Sequence, residues 1–539
     1  MTAAAFLQAT TVAVVPSFLV IFGLLLRRNL RRRHFSVIPG PALASFFTGN
    51  ILQFYGPDAA KFHQEIVQKY GSVVRLGGLL GESQLFISDE QGVRDILVKE
   101  DDIYEETSVF LIINRLIHGP SLLSTIGGIH SRQRRLMNPV FSTGNLRHLT
   151  PVFHKVTGEL LSSLLLAVEH GPREIDIHDR LGRLSLQAIG EAGFGYNFNA
   201  LSNDSSPYAK AVKEFFPLFT KMQIYLPLLP WLADIGPPWL RRFVAEKLPL
   251  PDLHDLLEMT DIMSSTSKRI LDTRLAILDE KKIRDSEGAK DIFTILLKAN
   301  INTQSKDHLS DEELMAQINM LVFAAMDTTS TALSRILYLL STHTDAQETL
   351  RKELVEARGE SDPGYEDIMA LPFLDAICKE TMRLYPPVTI LTRTTREDTV
   401  LRLGKMIRLA DGNSTDQIQI PRGTDVHVNL ERVNTNPDLW GEDGHEWKPE
   451  RWLSPLPTSV TGARIGGVYS HLLTFSGGRR ACIGFKLAEL EMKVVLFHLI
   501  PVLRFSPGSR EILWRYGPLT TPSVAFDAKA QLPSVVEKI

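Results

Sequence analysis

Cys482 stands in a glycine-rich loop that could make its thiol a metal ligand. The loop spans 475–484, carries Arg479 and Arg480, and contains no acidic residue. The apolar stretch 485–500 has helical periodicity, so Cys482 is predicted to lie at a helix N-terminus. Helix-end amides and nearby cations favour thiolate over thiol. A buried thiolate of this kind is a good axial ligand for haem iron, where it favours O–O cleavage.

A lone cysteine before a helix is more often a buried, small apolar residue than a ligand. The context here is more specific, because Phe475 to Gly484 fits the pattern Phe-x-x-Gly-x-Arg-x-Cys-x-Gly at every fixed position. On these residues the chain resembles the cytochrome P-450 family, over about 39–506. The resemblance implies that Cys482 is the axial iron ligand of haem b and that Phe475 belongs to the cofactor-binding loop.

Asp327 and Thr328 interrupt the apolar run of a long predicted helix. A threonine in a helix can bond to the helix backbone, and a buried aspartate needs a partner. Both residues could therefore have a purely structural role. Residues 324–328 also resemble the family's oxygen-activating signature, Ala/Gly-Gly-x-Asp/Glu-Thr, with Ala325 in place of the glycine. The resemblance implies catalytic roles for Asp327 and Thr328, which would relay protons to oxygen.

Basic side chains elsewhere resemble the family's anchors for the haem propionates. They are Arg480, His130, Arg134 and Arg393. His130 stands where the family often has tryptophan, and it can still donate to a carboxylate. Each one alone is more often an ordinary surface residue, but together they offer donors for two carboxylates. Three further cations could instead face a redox partner: Arg132, Arg135 and Lys486.

Glu380 and Arg383 lie three residues apart on a helix predicted to start near Pro372, so their side chains can pair. Such a pair is common and weak at a surface. The helix has an apolar face, however, and Arg451 lies in a Pro-Glu-Arg-Trp run further on. Together these residues resemble the family's structural triad, which implies a role in folding.

The composition excludes several classes of protein. The chain has 539 residues and a formal charge of −3, which is no balance for binding nucleic acid. Its two cysteines, Cys378 and Cys482, exclude a disulfide framework and a zinc site made of cysteines, and indicate a reducing compartment. No linker divides the chain after residue 45, so 46–539 is predicted to form one haem-thiolate monooxygenase domain.

The amino terminus is predicted to be a membrane anchor. Residues 3–26 carry no charge, are long enough to span a bilayer, and precede an arginine-rich flank. A cleaved signal peptide is the alternative, but it would need a basic start and a shorter apolar core. The flank places the body of the chain in the cytosol. We therefore expect a transmembrane anchor at 1–34, a proline-rich hinge at 35–45, and a single-pass protein of the endoplasmic reticulum membrane.

The remaining patterns predict a mainly α fold, a cytochrome P-450-like helical domain with small β-sheets. Helices are predicted at 58–70, 90–99, 142–169, 174–195, 310–341 and 346–358, and short strands follow Pro386. Segment 104–128 is predicted to be irregular, and the resemblance implies a loop over the substrate. Segment 215–243 is apolar but broken by prolines, and it fits either core or a channel lip resting in the membrane.

The resemblance implies a monooxygenase that hydroxylates an apolar small molecule with O2. Electrons would come from an NADPH-dependent reductase, with cytochrome b5 as an optional second donor. The residues predicted to line the substrate pocket are mostly apolar, which favours an apolar substrate. The chain also resembles fungal members of the family, so we expect a terpenoid or another specialised metabolite. The alternatives are a haem-thiolate isomerase or dehydratase that works without O2, and a non-catalytic haem-binding protein. The presence of Asp327 and Thr328, which the resemblance assigns to proton transfer to oxygen, argues against both alternatives.

Overall fold

The computed structural model describes residues 34–56, 59–202, 207–222, 225–226, 229–277, 291–301, 307–525 and 529–539. The predicted anchor and its arginine flank, up to Arg33, lie outside these ranges. Among the residues described, no helix is both long and apolar enough to cross a membrane.

Helices make up most of the described chain. In chain order they are α1 (Ile51–Phe54), α2 (Ala59–Tyr70), α3 (Glu90–Arg94), α4 (Ser108–His118), α5 (Gly127–Met137), α6 (Thr143–Ala167), α7 (Ile177–Ala188), α8 (Pro207–Met222), α9 (Leu229–Leu232), α10 (Pro238–Lys247), α11 (Pro251–Ile277), α12 (Ile292–Ile301), α13 (Asp311–Thr342), α14 (Thr344–Glu356), α15 (Tyr365–Met369), α16 (Pro372–Leu384), α17 (Leu430–Asn434), α18 (Pro437–Trp440), α19 (Thr458–Gly462) and α20 (Phe485–Leu499).

Small sheets lie around the helices. The strands are β1 (Val73–Gly77), β2 (Ser83–Ile87), β3 (Tyr104–Glu106), β4 (Arg173–Asp176), β5 (Ile390–Thr395), β6 (Thr399–Arg408), β7 (Ser414–Ile420), β8 (Asp425–Asn429), β9 (Gly467–Tyr469), β10 (Leu472–Gly477), β11 (Leu503–Pro507), β12 (Ile512–Arg515), β13 (Thr521–Val524) and β14 (Pro533–Lys538). The largest sheet has the order β1-β2-β8-β5-β3, and a second has the order β11-β14-β4. The remaining strands pair as β9 with β10, β12 with β13 and β6 with β7.

The long helix α13 runs through the core, as its sequence predicts. Ser310 caps it by accepting from the Glu313 amide, and the Glu313 side chain bonds back to the Ser310 amide. This capping box fixes where the helix begins. Most of its side chains are buried, but the run from Phe323 to Ala325 and the pair Asp327 and Thr328 are only half-buried. Asp327 and Thr328 therefore lie in a less tightly packed part of the helix surface.

A buried charge cluster connects α16 to the strand that leads into the cysteine loop. Arg383 donates to both carboxylate oxygens of Glu380 at 2.8 Å, and neither side chain is exposed. Arg451 lies 3.4 Å from the same carboxylate. Arg383 also donates to the carbonyl of Asn434, whose side-chain oxygen accepts from the Leu473 amide of β10. The predicted triad is thus assembled, and it braces β10.

The prediction for segment 104–128 was wrong in part. Strand β3 and the regular helix α4 occupy most of it, and α5 begins at Gly127. Thr107 caps α4 by accepting from the Phe110 amide. Buried and exposed side chains alternate along α4 with helical periodicity, so the helix is amphipathic. It is also rich in valine and isoleucine, whose β-branched side chains lower helix propensity and favour an irregular or extended interpretation of the sequence.

Segment 215–243 divides into a buried part and an exposed part. Phe215 and Leu218 are buried in the core, at 4% and 5% exposure. Further along, Trp239 of α10 is 70% exposed and Phe243 is 54% exposed. The N-terminal part is therefore core, whereas α10 presents large apolar side chains at the surface.

Candidate active site

The loop around Cys482 is a tight turn between β10 and α20. A 3-10 turn, Gly478–Arg480, follows β10, and the Cys482 amide donates to the Phe475 carbonyl at 2.9 Å. Gly478 has a φ of 66°, and a Cβ there would lie 2.2 Å from the Leu97 carbonyl oxygen. Only glycine can make this turn without a backbone shift.

The Cys482 thiol lies between opposing electrostatic influences. Its side chain is accessible to solvent. Burial raises the pKa of the thiol, whereas the backbone N–H of Gly484 and the Arg134 guanidinium lower it. Arg134 is held close, because it donates to the Ala481 carbonyl at 2.5 Å. These two groups are the donors that would stabilise a thiolate once a cation binds the sulfur.

Arg480 is fixed by one carboxylate and two carbonyls. Its guanidinium donates to Glu105 of β3 at 2.9 Å, to the Thr125 carbonyl at 2.8 Å and to the Leu122 carbonyl at 3.3 Å. The side chain is 8% exposed. Arg480 thus joins the cysteine loop to β3 and to the segment before α5.

Arg393 has a similar carboxylate partner. It stands opposite Glu106 on the β3–β5 ladder, and its guanidinium donates to that carboxylate at 2.9 Å. Both side chains are nearly buried. Two of the predicted propionate anchors are therefore bound to the adjacent acids Glu105 and Glu106, which the sequence analysis did not single out.

His130 and Arg134 lie on α5, beside the cysteine loop. His130 is buried, and burial followed by the charges of Arg480 and Arg134 lowers its pKa to about 3. The imidazole is therefore neutral near pH 7, with one N–H to donate. Arg134 also donates to Asn138 at 3.2 Å. The structure thus places His130 and Arg134 beside the cysteine loop that carries Arg480, whereas Arg393 is connected to it only through the neighbouring acids of β3.

Asp327 and Thr328 lie near the middle of α13. The Thr328 hydroxyl donates to the Ala324 carbonyl at 2.7 Å, which is the backbone bond expected of a helical threonine. Its oxygen keeps two lone pairs with which to accept. Helix α13 continues past Ala325 without a break.

Aromatic side chains from α4 and α8 meet at Phe323 of α13. The Phe215 ring of α8 lies 4.7 Å from it, edge to face, and the His118 ring of α4 lies 4.8 Å away. His118 is buried, and neither ring nitrogen has a hydrogen-bond partner among the described residues. Burial lowers its pKa to about 3, so the ring is neutral. An unpaired polar group of this kind costs free energy unless a ligand uses it.

The three cations suggested for a redox-partner face have different surroundings. Arg132 forms an ion pair with Glu313. Arg135 is 65% exposed and lies 3.0 Å from Asp307. Lys486 donates to the Thr143 hydroxyl at 3.2 Å. Arg135 is the most accessible of them.

Comparison with known proteins agrees with this geometry. The family model described as Cytochrome P450 matches residues 39–522. The chain belongs to the cytochrome P450 family. Cytochrome P450 monooxygenase 212 of Postia placenta is 42% identical over 519 residues, which cover 94% of this chain and 95% of that protein. Ganoderic acid synthetase CYP5150L8 of Ganoderma lucidum is 38% identical over 518 residues, 94% of each chain.

Membership of the family establishes the class of reaction. The chain is an oxidoreductase of the P450 monooxygenase type, and the family works with haem held by an axial cysteine thiolate. Such enzymes take electrons from a redox partner and act on small molecules. The donor set described above fits that cofactor, since one thiol faces an open side and basic donors for two carboxylates surround it.

Glu105, Glu106 and His118 are site residues that sequence reasoning missed. Two adjacent acids in an apolar segment could have raised the question of which cations they pair with, since buried carboxylates need partners. No local pattern points to Arg480 or Arg393, because these partners are 375 and 287 positions away.

Proposed function

We propose that Cys482 holds haem in this chain and that the enzyme hydroxylates a C–H bond of an apolar small molecule, best described as a terpenoid or similar specialised metabolite. The observation that carries the proposal is the Cys482 turn, in which the Gly484 N–H bonds to the thiol and the positive charge of Arg134 acts on it. The relative named ganoderic acid synthetase supports a specialised-metabolite substrate.

The bound haem would supply the activation of O2 and the transfer of one oxygen atom to the substrate. The basic residues Arg480, Arg134 and Arg393, together with neutral His130, would hold its two carboxylates. To do so, Arg480 and Arg393 must share their guanidinium groups with Glu105 and Glu106. Arginine has five N–H donors, so one side chain can serve two carboxylates.

Thr328 would accept a hydrogen bond from water or from a substrate hydroxyl while its own hydroxyl donates to the Ala324 carbonyl. A rotation about χ1 or the Cβ–Oγ1 bond would then turn the hydroxyl proton of Thr328 away from the Ala324 carbonyl and toward the bound water or substrate hydroxyl. Asp327, one position earlier, would resupply protons from the surface of α13. Both residues are half-buried, so they can reach water without lying in bulk solvent.

The substrate would contact the surface where α4, α8 and α13 meet. Phe323 and Phe215 make this surface apolar, and His118 adds one neutral polar group. An apolar substrate with a single hydroxyl or carboxyl group would satisfy one of the two unpaired ring nitrogens of His118. This combination of a large apolar wall and one polar contact is usual for small-molecule sites.

We also propose that residues 1–34 anchor the enzyme in the endoplasmic reticulum membrane, with the catalytic domain of 46–539 in the cytosol beside an NADPH-dependent reductase. The uncharged stretch 3–26 and its arginine flank support this. Deletion of 1–33 should release the protein from microsomes and leave its haem content unchanged. Loss of haem on deletion would make this segment part of the fold instead.

The function is tested by turnover with a matched reductase. The chain should form hydroxylated products from terpenoid candidates only when O2 and NADPH are both present, as measured by mass spectrometry with ¹⁸O2. His118→Phe should change substrate affinity or product pattern while haem content stays constant. Conversion that proceeds without O2 would favour the isomerase or dehydratase, and haem binding with no conversion of any candidate would favour the non-catalytic alternative.

A further inference from the structure

Two histidines and an aspartate form a cluster far from the cysteine loop. His154 of α6 and His498 of α20 approach through Nδ1 and Nε2 at 2.8 Å. One carboxylate oxygen of Asp362, in the loop between α14 and α15, lies 3.9 Å from each of these nitrogens. Three donor atoms from three segments therefore converge on one point.

The hydrogen bonds fix which nitrogens carry protons. His154 Nε2 lies 3.0 Å from the Pro363 carbonyl, which can only accept, so Nε2 must carry the proton. In the neutral ring, Nδ1 of His154 is then a bare acceptor directed at His498. A carbonyl that holds the far nitrogen of a histidine is the usual arrangement behind a metal-binding imidazole.

The distances are close to those of a tetrahedral metal site. With metal–ligand bonds of about 2.0–2.1 Å, neighbouring ligand atoms lie about 3.3 Å apart. The three observed separations of 2.8, 3.9 and 3.9 Å each differ from this value by about 0.5 Å. Side-chain adjustments of that size need no backbone movement.

Burial and charge also suit a cation. His154 is 4% exposed and His498 is 13% exposed, whereas Asp362 is 57% exposed and leaves a path from solvent. The positive charge of Arg358 acts on His498 and opposes a cation, while the Asp362 carboxylate acts on both histidines and attracts one.

We propose that His154, His498 and Asp362 form a binding site for one Zn²⁺ or a similar first-row transition metal ion, with water as the fourth ligand. Imidazole nitrogen with carboxylate oxygen is a donor set that zinc accepts. Binding replaces the His498 Nε2 proton by the metal, and the ring stays neutral because a proton is taken up at Nδ1 through solvent. The ion would join α6, α20 and the α14–α15 loop.

The site lies apart from the haem-binding region. His498 is near the C-terminal end of α20, whose N-terminal end follows Cys482. At a rise of 1.5 Å per residue, the helix separates the two by roughly 20 Å. Zinc occupancy and haem occupancy can therefore be measured independently, and failure of the metal site would leave the proposed function untouched.

The test uses the full haem-loaded chain, purified without a histidine tag and stripped with a chelator. After dialysis against buffered Zn²⁺, elemental analysis gives zinc and iron per chain. The variants are Asp362→Asn and His498→Ala, and the control is His170→Ala, an exposed histidine just beyond α6. Asp362 is exposed, so its variant keeps the test valid if His498→Ala fails to fold.

We expect one zinc per chain in the wild type and in His170→Ala, and at least a tenfold loss of affinity in the other two variants. Zinc should also raise the melting temperature of the wild type but not of Asp362→Asn, because a ligand stabilises only the state that binds it. No stoichiometric zinc in the wild-type chain, or equal affinity in Asp362→Asn and the wild type, would overturn the site.

Discussion

Arg480 of the cysteine loop donates to the carboxylate of Glu105 at 2.9 Å. Glu105 lies on β3, and Arg480 is also held by the carbonyls of Leu122 and Thr125. The residue assigned to a haem carboxylate thus already has an acidic partner. Two carboxylates that share one guanidinium repel each other, so Glu105 should weaken the hold of Arg480 on haem.

Glu105→Gln should slow haem loss. The two carbonyls keep Arg480 in place, and removal of one negative charge leaves the guanidinium to a single carboxylate. We expect about a tenfold slower transfer of haem to an excess of a haem-scavenging apoprotein, or ~1.4 kcal/mol. Asp102→Asn is the control, because it removes a nearby exposed charge that does not contact Arg480. Faster haem loss in Glu105→Gln would mean that the glutamate positions Arg480 instead.

Thr328→Ala should uncouple electron use from product formation. The variant loses the hydroxyl but none of the residues that hold haem, so haem content and substrate binding should persist. A positioned proton donor contributes about 10²–10⁴-fold, and the electrons and O2 that no longer form product should appear as hydrogen peroxide. Asp327→Asn should slow turnover with less peroxide, because it leaves the alcohol in place.

The coupling test measures NADPH consumed, product formed and peroxide released, each per haem. Thr331→Ala, one turn further along α13, is a control that removes a buried hydroxyl elsewhere on the helix. Unchanged coupling in Thr328→Ala would leave only the backbone bond to Ala324 as the role of this threonine.

Glu380→Ala should give haem-free or insoluble protein. Glu380 accepts from Arg383, Arg451, the Lys448 amide and the Trp452 indole, and it is fully buried. Removal of one partner from a buried ion cluster costs about 3–5 kcal/mol, against a total stability of about 5–15 kcal/mol.

Asp438→Asn is the matched control for Glu380→Ala. Its ion pair with Lys405 is more than half exposed, and exposed pairs contribute little. Soluble expression and haem per chain are the measurements. Full haem content in Glu380→Ala would show that β10 does not need the cluster.

Glu491 should make stability depend on pH. It lies buried on α20, accepts from Ser185 at 2.5 Å, and burial raises its pKa from 4.5 to about 7. Between those values the folded chain binds more protons than the unfolded chain, so the free energy of unfolding falls as pH rises. The full effect is about 3 kcal/mol.

Glu491→Gln should therefore match the wild type near pH 4.5 and be the more stable protein at pH 8. Melting temperatures across this range are the measurement, with the exposed Glu356→Gln as control. Parallel curves for Glu491→Gln and the wild type would contradict a raised pKa.

Local patterns predicted the parts of the site that lie close together in sequence. The Cys482 turn before a helix, the start of α13 near residue 310 and the pairing of Glu380 with Arg383 depend on residues within about ten positions, and the structure has all three. Contacts between distant segments could not be predicted in this way. The Glu105 and Glu106 partners, the meeting of His118 with Phe323, and the triad of His154, Asp362 and His498 arise only when the fold brings remote segments together.

The central claim is that Cys482 supplies the thiolate for haem iron. The chain has one other cysteine, Cys378, which is fully buried, and burial raises its pKa to about 12. The decisive measurement is the Soret spectrum of the reduced carbonyl complex in Cys482→Ser and in Cys378→Ser. The account predicts that Cys482→Ser loses the thiolate-type band and activity, while Cys378→Ser keeps the band. A thiolate-type band that persists in Cys482→Ser would contradict it.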